Sequence, residues 1–197
     1  MALEVRNFES LLNDLRDAFS RKQLLQHFHI YQGHVIRLYE LEAALKDADR
    51  TTGSRIWGEF SELHRRHAVA FNGAVFHEFY FEGLTADKTV ISESVSELIT
   101  RDFGSVKVWE EELRAMAEIG DWVLLTYSHP EKKLQQWVVT ENHVGVPVHQ
   151  TILLALDCAE HAWIVDYAGH IEDYLDVYIK HINWNRVNLR LKLMAKK

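Results

Sequence analysis

An α+β fold is predicted for this chain by three features: two long stretches with helical spacing around a turn-rich ADRTTG, a switch at Trp122 to short β-branched runs, and a return to helical spacing after Asp157. The expected architecture is an N-terminal antiparallel helical hairpin, residues 1–90, followed by a C-terminal α/β domain, residues 91–197, with a small three-stranded antiparallel sheet and helices.

The start, MALEVRNFESLLNDLRDAF, reads as a charged amphipathic helix without the apolar core of a signal peptide. From about Ser20 to Lys46 apolar residues recur at helical period with no Pro, and a second such stretch runs from about Ser54 to Leu84. The Asp, Thr and Gly between them favour turns and caps, so the two helices fold back on each other. SELITRDFG and VKVWEEELRAMAEIG continue as helix, after which WVLLTY, LQQWVVT and TILLALD are rich in β-branched and aromatic residues. SHPEKK is short enough to join the first two as a hairpin. EDYLDVYIKHIN and NRVNLRLKLM are helical again.

With 47% hydrophobic residues, the chain can bury a full core. No apolar run approaches the roughly 20 residues of a membrane span, and the single cysteine, Cys158, excludes an internal disulfide framework. A soluble, cytoplasmic protein is expected. The net charge of −7 disfavours nucleic acid as a partner, which needs a concentrated basic surface; Lys196 and Lys197 read as a solvated tail.

At 100° per residue, His27, Tyr31, His34, Leu38 and Leu45 share the inward side of the first long helix, while His29 lies about 200° away on the solvent side. His77 falls in line with Ala70, Gly73, Ala74 and Phe81, small and apolar residues that let another backbone approach. TILLALDCAEH adds Asp157 at the end of an apolar strand and His161 four residues later. Each residue also has a plain structural reading, as a hydrogen-bonded core histidine or a turn aspartate. Taken together they form a three-imidazole, one-carboxylate set that suits zinc, iron or manganese.

The same residues lie in segments that resemble the iron/manganese superoxide dismutase family from about Phe19 to Arg190. The match rests on LALDCAEHAWIVDY, EDYLDVYIKHINWNRV, FNGAVFHEFYFEGL, RDFGSVKVWEEEL, IGDWVLL and FSRKQLLQH. The resemblance implies one iron or manganese ion bound by His27, His77, Asp157 and His161, and dismutation of superoxide to dioxygen and hydrogen peroxide. His143 matches the position where many members place a Gln, and some a His, against the metal's bound solvent. The family usually has a His four residues and a Tyr eight residues after the first ligand; here these are Tyr31 and Val35, and Tyr31 is the candidate to supply the missing hydroxyl. Glu160 matches a residue that contacts the partner subunit's His ligand, which implies a homodimer, although Ile164 replaces an interface Tyr and Leu124 a common Trp. Superoxide is an anion, so the mouth of the site is expected to be locally positive, with Arg37 and Lys22 as candidates. Two alternatives keep the resemblance: another metal-dependent redox activity, and a non-catalytic structural relative.

Overall fold

The computed structural model describes residues 3–194; Met1, Ala2 and the tail lysines Lys196 and Lys197 lie outside them. The predicted hairpin is formed by α2 (Arg21–Asp47) and α3 (Glu59–Glu82), with a short helix α1 (Leu11–Asp14) before it. Helices α4 (Glu93–Phe103) and α5 (Val106–Ala117) lead into strands β1 (Trp122–Ser128), β2 (Lys133–Val139) and β3 (Gln150–Asp157). Three helices close the chain: α6 (Ile164–Tyr167), α7 (Ile171–Lys180) and α8 (Trp184–Met194). The α+β architecture expected from the sequence is the one observed.

Serine hydroxyls set the helix starts. Ser20, Ser92 and Ser105 accept from the amides of Gln23, Val95 and Val108, satisfying donors that have no partner within the first turn. Helix α3 begins five residues later than its periodicity suggests, because Ser54–Gly58 is spent on a loop that approaches the preceding turn closely. Thr52 Oγ1 caps the Phe60 amide at 3.0 Å, and a Cβ on Gly58 would fall 1.8 Å from the Thr52 carbonyl oxygen. Only glycine fits there.

The N-terminal segment departs from expectation. Its helix is confined to Leu11–Asp14, and the residues before it run as an irregular strap whose polar groups are taken by α2. The Tyr39 hydroxyl donates to the Leu3 carbonyl at 2.6 Å and the Arg6 amide donates to Tyr31 Oη at 2.9 Å. Phe8 packs against Phe28, Tyr31 and Phe81. Tertiary contacts outweigh the modest helical preference of this segment.

In the sheet, β1 is central and antiparallel to both neighbours, order β2-β1-β3. Trp122 pairs with Val139 on one side and Asp157 on the other, so the end of β3 lies beside the start of β1. β3 is buried from Leu153 to Asp157, packed against α3 and α8. One continuous apolar core runs from Leu12 through the hairpin and sheet to Leu191. Among the described residues no helix is long and apolar enough to cross a membrane.

A charged lattice ties the strap, α3 and α8 together. Glu82 accepts from Arg186 at 2.8 Å and Arg190 at 2.7 Å and pairs with Arg6. Arg190 also donates to the Leu153 carbonyl at 2.8 Å and lies over the Phe79 ring. Burial works against charge on Glu82, but the guanidinium hydrogen bonds win and lower its pKa. Glu82→Gln therefore leaves Arg190 poorly paired and is expected to cost about 2 kcal/mol in urea unfolding at pH 7. Because the folded pKa is depressed, the wild-type advantage exists above the unfolded value and should vanish as the pH falls below about 4.

Candidate metal centre

Four elements deliver the four residues singled out by the sequence. His27 lies two turns into α2, His77 lies in the second half of α3, Asp157 ends β3, and His161 occupies a 3-10 turn, Glu160–Ala162. The chain leaving β3 is held in shape by its own polar groups: the Ala159 amide donates to Asp157 Oδ1 at 3.0 Å, and Trp163 Nε1 donates to the Cys158 carbonyl at 2.9 Å. From below, the Tyr174 hydroxyl donates to the Asp157 carbonyl at 2.6 Å.

His27, His77 and Asp157 are fully buried, and His161 keeps a 29% exposed side chain as the one member that reaches solvent. A single oxygen, Asp157 Oδ2, faces three imidazole nitrogens: His27 Nε2 at 3.0 Å, His161 Nε2 at 3.1 Å and His77 Nε2 at 3.5 Å. One potential ligand atom from each residue lies within 4.8 Å of the others. Bonds of about 2.1 Å to a common centre place neighbouring ligand atoms about 3–4 Å apart, so the 3.0–3.5 Å separations around Asp157 Oδ2 suit one ion.

Tautomer chemistry supports that fit. His77 Nδ1 lies 2.6 Å from the Gly73 carbonyl oxygen, an acceptor only, so Nδ1 carries the proton and Nε2 presents a lone pair. That Nε2 is buried without a hydrogen-bond partner and points toward a carboxylate oxygen, also an acceptor. Two facing acceptors in a dry pocket repel unless a cation lies between them.

The protonation states follow from burial and from the carboxylate. Burial would raise the Asp157 pKa, but the charge and hydrogen bonds of His161 and His27 hold it far below the usual carboxylate range. Burial lowers the pKa of His27, partly opposed by Asp157, and drives that of His77 well down. For His161 burial is outweighed by Asp157, and its pKa is raised.

Around the four, Tyr80 and Phe81 pack at a tilt against His27, and Trp122 meets the His77 ring edge-on at 5.0 Å between centroids. Tyr31 is buried, but its hydroxyl donates to Glu78 at 2.9 Å and accepts from Arg6; burial pushes its pKa up to about 12. His143 turns its Nδ1 to the Glu141 carbonyl at 2.7 Å. Neither residue is hydrogen-bonded to the cluster. Val35 and Leu124 are buried in the core, whereas Glu160 and Ile164 face solvent beside His161. His29 is exposed.

Two contributors went unread in the sequence. Gln23, fully buried, donates to the His161 carbonyl at 2.7 Å and accepts from the Val165 amide at 3.1 Å, clamping the 3-10 turn onto α2. Its signal was available: it lies one helical turn before His27, a polar side chain on the core face. Asn142 accepts from Trp122 Nε1 at 2.6 Å. Nothing in TENHVG distinguishes it from its neighbour His143.

Comparison with known proteins fits this geometry. Residues 91–190 match the family described as iron/manganese superoxide dismutases, C-terminal domain. The chain is 34% identical over 180 residues to the iron superoxide dismutase of Cupriavidus metallidurans, covering 87% of each protein. It is 30% identical over 186 residues to the iron superoxide dismutase of Aquifex pyrophilus, covering 91% of this chain and 87% of that protein. A manganese superoxide dismutase of Haloferax volcanii is 29% identical over 133 residues, 65% of this chain and 67% of its own length.

Two outcomes are expected from these arrangements. Tyr31→Phe strands Glu78 and the Arg6 amide and should lower stability by about 1 kcal/mol in chemical unfolding. In metal-free protein the buried neutral His27 and His77, with folded pKa values below the unfolded value, stabilise the fold above about pH 6.5, and this contribution fades as the pH falls. His161, with a raised pKa, contributes in the opposite sense, so thermal unfolding of metal-free protein should show a net loss of stability from pH 7 to about pH 5 that His161→Ala makes steeper.

Proposed function

The chain belongs to the iron/manganese superoxide dismutase family, and from that premise we propose that it disproportionates superoxide to dioxygen and hydrogen peroxide at one iron or manganese ion held by His27, His77, Asp157 and His161. The observation that carries this reading is the unpartnered, buried Nε2 of His77 aimed with two other imidazole nitrogens at one carboxylate oxygen. When bound, the ion would supply the one-electron couple that oxidises one superoxide and reduces the next.

The chain's own residues do the rest. The Asp157 carboxylate would offset part of the ion's charge, while the Gly73 carbonyl fixes the ligating tautomer of His77. Tyr80 and Phe81 wall His27 and Trp122 walls His77 with apolar ring surface. The lobes on either side of residue 90 would contribute two ligands each, as separate domains meeting at the ion. To handle protons, Tyr31 would give up Glu78 and His143 would give up the Glu141 carbonyl. Glu160, exposed next to His161, is the residue through which a second copy would pair. The free, buried Cys158 suits a reducing compartment, and we assign the protein to the cytoplasm.

Purified protein reconstituted separately with iron and manganese should hold close to one ion per chain and remove superoxide faster than the free metal does. Asp157→Asn should retain little metal. Chelation should lower the unfolding temperature, since an ion present at 1,000 times its Kd stabilises by about 4 kcal/mol. Superoxide removal no faster than that of the free ion would end the proposal.

A further inference from the structure

Of the four cluster residues, His161 has the least regular backbone. His27 and His77 stand in helices of 27 and 24 residues, whereas His161 occupies a 3-10 turn of three. So short a turn has few hydrogen bonds of its own, and its position has to be fixed from outside.

Gln23 fixes it by standing inside an interrupted helical turn. Residues 161 and 165 are four apart, the spacing at which an α-helix joins a carbonyl to an amide. Here the two do not join each other: the His161 carbonyl accepts from Gln23 Nε2 at 2.7 Å, and the Val165 amide donates to Gln23 Oε1 at 3.1 Å. The chain closes its own turns on both sides of this gap. Ala162 donates to Ala159 at 2.9 Å and Trp163 to Glu160 at 3.2 Å before it, and Tyr167 to Trp163 at 3.0 Å and Ala168 to Ile164 at 3.1 Å after it. A side chain inserted into the helical ladder bends the chain, and the bend falls at Trp163, whose φ of −146° and ψ of −20° separate the turn from α6. A carboxamide suits the place because one planar head carries both a donor and an acceptor. Gln23 is fully buried, so both bonds are shielded from water.

The wedge also completes a ring. Gln23 lies one helical turn before His27 on the same face of α2. From His27 the ring passes to Asp157 Oδ2 at 3.0 Å, from there to His161 Nε2 at 3.1 Å, and returns from the His161 carbonyl to Gln23. Two further ties reach the chain near the start of α2, from Asp166 to the Ser20 amide at 2.6 Å and from the Tyr167 hydroxyl to the Ala18 carbonyl at 2.7 Å. They lie five and six residues past His161, so the bond at the histidine itself is the one from Gln23.

We propose that Gln23 is a positioning residue for the ion: wedged between His161 and Val165, it keeps the His161 imidazole turned to Asp157 and thereby sets how long the ion is held. The inference rests on the reading of the four residues as a metal centre. His161 is the member of the four that reaches solvent, so it is the ligand a competing chelator meets first. Without the wedge the His161 carbonyl and the Val165 amide are free to meet directly, α6 lengthens toward the cluster, and the imidazole is carried off Asp157.

The test compares Gln23→Met, which fills a similar volume without either hydrogen bond, with Glu82→Gln, whose loss of stability arises in the charged lattice of α3 and α8. Transfer of iron or manganese from loaded protein to ethylenediaminetetraacetate should be about 10-fold faster or more in Gln23→Met, as for other groups that orient a metal ligand, and unchanged in Glu82→Gln. The electron paramagnetic resonance spectrum of the ferric protein should change line shape in Gln23→Met alone. Gln23→Asn, one methylene too short to bridge the gap, should behave like Gln23→Met and carries the test if that variant does not fold. Wild-type release and spectrum in a folded Gln23 variant would overturn the proposal, as would equal acceleration by Glu82→Gln. In metal-free protein, carbethoxylation of His161 by diethyl pyrocarbonate, followed by peptide mass, should be faster in the Gln23 variants than in wild type, and equal rates overturn the proposal. Loaded protein that does not dismutate superoxide, yet releases its ion faster when Gln23 is changed, removes the proposed reaction and keeps the positioning role.

Discussion

One carboxylate oxygen organises this molecule. Asp157 Oδ2 lies within 3.0–3.5 Å of three imidazole nitrogens that come from three different elements, and it is fully buried. A carboxylate taken out of water is costly unless charge and hydrogen bonds compensate it. The compensation here is distributed: His161 and His27 on one oxygen, the Ala159 amide on the other, and Tyr174 on the backbone carbonyl. Moving α2, α3 or the turn after β3 would strand that charge, so the hairpin and the sheet are locked to each other through it.

Helix α3 shows how one element serves two networks. His77 and Phe81 face the cluster, while Glu78 and Glu82, each one residue on, lie about 100° around the helix and face the strap and α8. Glu78 takes the Tyr31 hydroxyl and Glu82 takes three arginines. Tyr31 joins the networks, with its ring packed near His77 and its hydroxyl in the charged lattice. The strap that the sequence suggested as helix is held in place by the same lattice, through the Arg6 amide and guanidinium.

The fold was legible because its signals are local. Helical spacing across Ser20–Lys46 and β-branched runs after Trp122 follow from side-chain period alone, and the inward faces computed for His27 and His77 agree with their burial. Signals that depend on tertiary partners were silent. The N-terminal strap loses its helix to tyrosines 25 and 36 residues away, and the start of α3 is set by contact between Gly58 and Thr52. At the site, four residues with chemically distinctive side chains stood out from a pattern of spacing and resemblance. The amides that support them did not, because Gln23 and Asn142 acquire their meaning only from the 3-10 turn and the Trp122 ring they touch.

The substitutions beside the cluster form a consistent set once volume is considered. Val35 seals the position eight residues after His27 with a buried aliphatic side chain, and His34, one residue earlier and 100° around, brings a polar group beside His77. His34 needs space on α3, which Gly73 supplies, and the space is shared with a carboxamide that a left-handed turn at Glu141 and Asn142 carries inward. That turn is tolerated because Asn adopts positive φ at little cost and because the Glu141 amide is anchored to Asp121 at 2.8 Å. A valine, a histidine, a glycine and an asparagine on three elements are thus coupled by one small volume. Change at any one of them alters the room available to the others, so the polar edge of this centre is set by packing as much as by the chemistry of its side chains.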